Sequence, residues 1–386
     1  MRITIIIIIL TIQVSCKNRN ETNIKSENSA ITELTKCNYN NEAITKYHIL
    51  TNKAEIAICD GDFDRASKNY SLAFREIKKP FGPDVYNAAL SNQLSNNLVE
   101  RNLNLQLLIN NSDDLSLLKS IFVNTYIDEN LWNSFIEKRT TEYDPRLRNE
   151  FKAIWERDQL FRPMYDTHDD TIQVNRMINM NRILSITDSL GFPSQIELGF
   201  RKSLRGQNHD VVLHHTSQRR SGNKNIIDLE PILCKAVNEG RFDPEQAISY
   251  LHFQNDKDKR DFEVYSNWQY KHHLLPDSLN NKIWLVNLNK EKYERANEIR
   301  KKWNADQLYD IAIKSDFIAR SNIPFIFTSV MTFIENMPTD LTLEKALEQY
   351  KMATSDKKPF KAVYSIDENE FRGNVSLQLK LRDIKA

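Results

Sequence analysis

"NKAEIAICDGDFDRASKNYSLAFREIKKPFGP", residues 52–83, decides the fold. Ala54, Ala57 and Ile58 share one face of a helix, and "DGDF" makes a turn at Gly61. Ala66, Tyr70, Ala73 and Phe74 then recur at helical spacing, which marks a second amphipathic helix. Pro80 and Pro83 stop it, because a proline ring removes a backbone donor and clashes with the preceding turn. Two helices of this length joined by so short a turn fold back on each other as a hairpin.

The alternation of small and large residues resembles a tetratricopeptide-like repeat, in which small side chains let two helices approach and large ones wedge the next pair. A second, weaker pair follows from Asp84 to Leu108, and "LSLLKSIFVNTYIDENLWNSFIEK" adds a helix or two. Two degenerate hairpins are fewer than such arrays need, so region 43–138 is expected to lean on the domain C-terminal to it. "RTTEYDPRLR" (139–148) reads as a polar hinge and a domain boundary.

Beyond it, "LRNEFKAIWERDQLF" carries Leu147, Phe151, Ile154 and Trp155 on one side and ends near Pro163. "DDTIQVNRMINMNRILSITDSLGFPS" is a second helix, closed by Gly191 and Pro193. "IELGFRKSLRGQNHDVVLHHTSQRRSGN" is expected to continue helical with a break near Gly206. Asp243 and Pro244 start another helix as cap and first-turn residue. "NKEKYERANEIRKKW" follows, with Asn289 as cap. Together these give an all-helical domain over 146–315. Region 316–386 changes character. "TLEKALEQYKMA" is a short helix, "FKAVYSI" and "NVSLQLKL" alternate as a β-hairpin, and "IPFIFTSV" is a candidate third strand. The fold class is therefore mainly α: helical hairpins, then an all-helical domain, then a small α+β piece with a β-hairpin.

The 386 residues are 40% apolar and 27% charged, an ordinary globular composition. Lys+Arg (53) nearly cancel Asp+Glu (52), so no basic field argues for nucleic acid. Only 8 glycines occur and no glycine-rich phosphate loop, so no nucleotide cofactor is implied. At the N-terminus, "MRITIIIIILTIQVSC" has an apolar run too short to span a bilayer but long enough for a signal-peptide core. Ser15 before Cys16 resembles a bacterial lipoprotein signal. That resemblance implies a signal peptide over 1–15, acylation of Cys16 and a lipid-anchored place in the cell envelope, on a periplasmic or outer-membrane face. Gln13 departs from the aliphatic residue usual at that position. The polar segment after Cys16 cannot bury enough surface to fold, and 16–42 reads as a flexible tether.

Cys37, Cys59 and Cys234 are odd in number and widely spaced. The preferred reading is buried or idle thiols, with Cys37–Cys59 the nearest possible pair. No CxxC, HExxH or i,i+4 histidine pair exists, so no metal site is expected.

"RDQLFR" (157–162) puts Asp158 and Arg162 one helical turn apart, within pairing reach. It is followed in order by "GFP" (191–193), "VVLHHTSQ", a helix pair and "VYSNWQ". The ordered set resembles an uncharacterised bacterial family, domain of unknown function 6624, over roughly 146–312. Arg157, Asp158, Gln159 and Arg162 match its first motif, and His215 takes the place of the family histidine. Tyr265 and Gln269 keep the ends of a later element. His214, Ser217 and "YLHFQND" depart from the pattern, so any enzymatic centre of the family is in doubt here.

Two functional readings stay open, the first leading and the second its alternative, beside a buried polar network that only fixes helix register. The first is a protein- or peptide-binding module at the membrane surface, since arrays of helical hairpins expose concave faces. The second is a hydrolase-type enzyme with Asp158, Arg162 and His215 as an acid/base set. Arg157, Gln159, Tyr265 and Gln269 are then binding candidates.

Overall fold

The computed structural model describes residues 37, 41–123, 125–162, 165–201, 204, 212–215, 227–255, 271–274, 283–286, 290–330, 334–336, 361–371 and 374–385. The fold is mainly helical. Helix α1 (Glu42–Cys59) buries Ala54, Ala57 and Ile58, and α2 (Phe63–Glu76) buries Ala66, Tyr70 and Ala73. The face read from residues 52–83 is thus the packed face. Gly61 turns the chain with φ +75°, and Asp62 caps α2 by accepting from Arg65 N at 3.0 Å. Helices α3 (Gly82–Leu94) and α4 (Leu98–Asn111) form a second packed pair, and α5 (Ser116–Phe122) and α6 (Glu129–Glu137) follow.

Next come α7 (Pro145–Gln159) and α8 (Tyr165–Leu190), the latter with non-helical backbone at His168. The short α9 (Gln195–Leu198) does not continue as expected. It stops at Gly199, whose φ of +74° is not helical, and Phe200 N then donates to Asn111 O at 2.6 Å. Residues 212–215 make a further helical turn. Helices α10 (Glu230–Asn238), α11 (Pro244–Asn255), α12 (Lys290–Lys302) and α13 (Leu308–Arg320) complete the helical part. Asp243 caps α11 as read from the sequence, its carboxylate accepting from Gln246 N at 3.1 Å. Short strands lie at β1 (Lys271–Leu274), β2 (Ile283–Val286) and β3 (Ile334–Asn336), in the order β2-β1-β3. β1 runs antiparallel to β2 and parallel to β3. Pro163, Asn289 and the helix expected over 342–353 lie outside the described residues.

Cys37–Ala386 form one compact unit. The polar stretch 139–148 falls between two apolar clusters, one mostly before it and one mostly after it. The apolar cluster of α1–α6 also contains Phe325, Ile326, Phe327 and Val330 from near the end of the helical part. The boundary at 315–316 falls inside α13. "IPFIFTSV" is not a strand. It runs as an irregular segment in which Asn87 pairs with one residue, donating to Ile326 O at 2.6 Å and accepting from Ile326 N at 2.9 Å. One buried amide thus stands in for a strand neighbour at that residue. A second cluster joins Phe151, Ile154, Met180 and Ile183 to Leu233, Val237, Ile299 and Trp303.

The cysteines also differ from expectation. Cys37 is bonded to Cys234, with a Cα–Cα distance of 5.5 Å, and Cys59 is free. The eighteen residues of α1 span about 27 Å and carry Cys59 away from Cys37, whereas Asn41 donates to Asn238 O at 2.8 Å and seats the chain start on α10. Cys37→Ser is expected to lower unfolding stability by about 2–4 kcal/mol in denaturant titration, and reductant should bring wild type to the same value. An unchanged midpoint in both cases contradicts a stabilising role for the bond.

Candidate functional site

Asp144 starts α7 by accepting from Arg146 N at 2.8 Å and Leu147 N at 3.2 Å. Phe151 and Ile154 fix the buried face, which places Asp158 at the inner side of the last turn. Val212 and Leu213, buried in the same apolar cluster, seat the turn that presents His215. The two elements meet at the carboxylate. His215 Nδ1 lies 2.6 Å from Asp158 Oδ2, and Arg162 Nη2 donates to Asp158 Oδ1 at 3.0 Å. Arg162 Nε also donates to the Asp158 carbonyl at 3.2 Å, and Gln159 Nε2 donates to Oδ2 at 2.7 Å. The Asp158 side chain is 1% exposed, against 14% for Arg162 and 18% for His215. The carboxylate is therefore the sealed base of the group, and the arginine and histidine heads form its rim.

Burial alone would push the Asp158 carboxyl up, but the hydrogen bonds and charges of His215 and Arg162 outweigh it and hold the group below its usual range. An ionised carboxylate only accepts, so Nδ1 of His215 carries the proton and Nε2 is the nitrogen left to exchange protons. His214 is pushed down to about 4, first by burial and then by the nearby His215 and Arg162 charges, so it is neutral at pH 7.

Arg157 lies apart from the carboxylate. Its Nη1 donates to Asn179 Oδ1 at 2.8 Å, its carbonyl accepts from Asn175 Nδ2 at 3.3 Å, and Asn179 Nδ2 donates to Ile154 O at 3.0 Å. It staples α7 to α8 and does not reach the carboxylate. Tyr265, Gln269 and Cys16 lie outside the described residues. Among the described residues no group of three His, Cys, Asp or Glu side chains is placed to hold a metal ion. No described helix is long and apolar enough to cross a membrane.

Sequence reading missed a second polar group, sealed between α1, α3, α11, α12 and α13. Lys314, with no exposed surface, bonds to Glu55 and Asp306. Arg300 bonds to Glu245, and Tyr47 donates to Asp84. A signal existed. Glu55 falls on the buried stripe of Thr51, Ala54 and Ile58, and Lys314 on that of Leu308, Ile311 and Ser315. A charge on a buried stripe needs a partner.

Comparison with known proteins finds no matching family model, no similar curated protein and no similar solved structure.

Asp158→Ala removes the shared partner of Arg162 and His215, both largely buried, and is expected to cost about 2–4 kcal/mol in denaturant titration. The carboxyl is depressed in the folded chain, so the stability it contributes is present above about pH 4 and lost as pH falls through the lower folded value. The variant should therefore show a shallower acid limb. Equal acid limbs would show that the carboxylate is not held by His215 and Arg162.

Proposed function

We propose that Asp158, His215 and Arg162 form the general-base centre of a hydrolase-type enzyme acting on a substrate with an anionic group. The observation that carries this reading is the 2.6 Å contact between a sealed Asp158 and a rim-exposed His215. His215 Nε2 takes the proton of a water molecule as its oxygen attacks the electrophilic atom. Asp158 holds the imidazolium so formed, and the proton then passes to the leaving group. Arg162, already oriented by the same carboxylate, offers its outer donors to an anionic substrate oxygen. Gln159 fixes the carboxylate from the side.

The same proposal extends to where the chain resides. Cys16, acylated, holds the body at the bacterial envelope through the 16–42 tether. The Cys37–Cys234 disulfide in the body supports an oxidising compartment. The resemblance to the domain of unknown function 6624 family rests on the ordered motifs alone, and it adds the 146–312 segment as the catalytic part. The region after residue 316 is read as carrying a β-hairpin. The alternation in the sequence and the antiparallel register of β4 (Lys361–Phe371) with β5 (Asn374–Lys385) support that.

The interaction-module reading has its own support in the exposed apolar ridge Leu98, Val99 and Leu103 on α4, which belongs to the tetratricopeptide-like region. A protein or peptide partner fits such a surface.

The two readings separate in one experiment. Wild type, His215→Gln and Arg162→Lys are assayed against ester, phosphoester, glycoside and peptide substrates, with melting curves alongside. The enzyme reading expects turnover by wild type, a loss of about 100-fold or more in His215→Gln, and melting within about 3 °C of wild type. No turnover by wild type, with both variants melting far lower, would sink it and leave the group as a register-fixing network.

A further inference from the structure

The sealed group between the N-terminal hairpins and the end of the helical part has a charge imbalance that the Asp158 site lacks. Among the described residues, five carboxyl groups, Glu55, Asp84, Asp243, Glu245 and Asp306, face two cations, Arg300 and Lys314. Hydrogen bonds join Glu55, Lys314, Asp306, Arg300 and Glu245, and Asp84 and Asp243 lie buried within charge reach of them. Lys314 bonds to Glu55 and Asp306, Arg300 Nε donates to Asp306 O, and Asp306 N donates to Glu245 Oε1 at 2.8 Å. Asp84 accepts from Tyr47, whose hydroxyl also accepts from Phe81 N at 3.2 Å. Ser329 and Thr328 of the irregular segment lie beside Asp306 and Asp243. Every member is buried or nearly so. Ionising all the carboxyls in that space would leave unpaired charge in a low-dielectric interior, which a fold cannot sustain at neutral pH.

We propose that this cluster is a proton-operated latch between the N-terminal helical hairpins and the 306–330 segment, tightest when its surplus carboxyls carry protons and looser as they lose them. The hairpin side of the latch is Glu55 and Asp84, the other side is Asp306 and Lys314, and Asp243, Glu245 and Arg300 form its floor.

The direction of the pH effect follows from each facing group. Burial, partly offset by the Tyr47 hydrogen bond and Lys314, pushes Asp84 up to about 7. Burial and Glu245 push Asp243 up to about 7. Burial raises Glu55 and Glu245 too, but Lys314 and Arg300 bond directly to them, so Asp84 and Asp243 are the surplus carboxyls that titrate. Unfolded, such carboxyls titrate near about 4. Folding therefore takes up protons between these values, so the stability from these groups is complete at the acid end and is lost as pH rises toward 7. Asp306 runs the other way: burial would raise it, but Lys314 holds it down, so it stays ionised across that range. His48, pushed down to about 4 by burial against Asp306, is neutral when folded and costs stability as pH falls below about 6.5. Tyr70 on α2 and Cys59 on α1 are pushed up by burial, Cys59 to about 12, and stay neutral. His48 opposes the carboxyls, so single groups must be isolated by substitution.

Melting midpoints of wild type, Asp84→Asn and Asp243→Asn are compared from about pH 4.5 to about pH 8.5. Asparagine keeps an acceptor for Tyr47 in the first and the helix cap in the second. Each variant should gain on wild type by about 2–4 °C between the acid end and pH 7, and the gap should stay flat above it. A gap independent of pH overturns the proposal. A second measurement does not depend on the variants folding. The infrared band of protonated carboxyl groups should be present in folded wild type at about pH 6 and gone by about pH 9; its absence at the lower pH overturns the proposal. Hydrogen exchange, corrected for the intrinsic pH effect, should show protection falling between those values more in 306–330 than in α7 and α8. A uniform change overturns the latch.

Discussion

The Lys314 ammonium is the point on which the described fold turns. It has no exposed surface, and its two partners come from opposite regions of the chain: Asp306 just before its own helix, and Glu55 in α1. A lysine taken wholly out of water survives as a cation only where carboxylates meet it. Its pKa is raised because Asp306 and Glu55 outweigh the burial that would lower it. Docking α13 against α1 in this one geometry also brings Pro324 O to the Tyr86 hydroxyl at 2.7 Å and Ile326 to Asn87. The helical hairpins therefore need no further repeats to close their core. Phe325, Phe327 and Val330 cap them.

The two polar groups differ in how their charges balance. At Asp158 one carboxylate meets an arginine and a histidine, and its pKa falls. In the sealed group carboxyls outnumber cations, and most of their pKa values rise. The first arrangement keeps an oriented imidazole beside a charged partner at the edge of the body, which suits proton transfer. The second stores protons inside, which suits coupling of segments. Exposure separates them as well, since of the two the Asp158 group has the partly exposed rim.

Local features were legible in the sequence because they depend on neighbours a turn or two away. The packed faces of α1 and α2, the Asp243 cap and the Asp158–Arg162 pair all follow from helical spacing. His215 was named from motif order, and Val212 and Leu213 explain why it arrives at the carboxylate. Long-range pairings were not legible. Cys37 and Cys234 stand 197 residues apart, and Glu55 and Lys314 259 apart, with nothing in either segment to name its partner. "IPFIFTSV" has the composition of a strand, but Asn87 and an apolar cluster supply what a sheet would have supplied. Arg157 shares a motif with Asp158, yet it points to Asn179, because adjacent residues on a helix face about 100° apart.

A double-mutant cycle on Glu55→Gln and Lys314→Met, read by denaturant unfolding, tests most directly whether one buried ion pair ties the hairpins to the end of the helical part. A coupling energy above about 1 kcal/mol is predicted, with each single variant strongly destabilised. Additive effects, with coupling near zero, would contradict that tie.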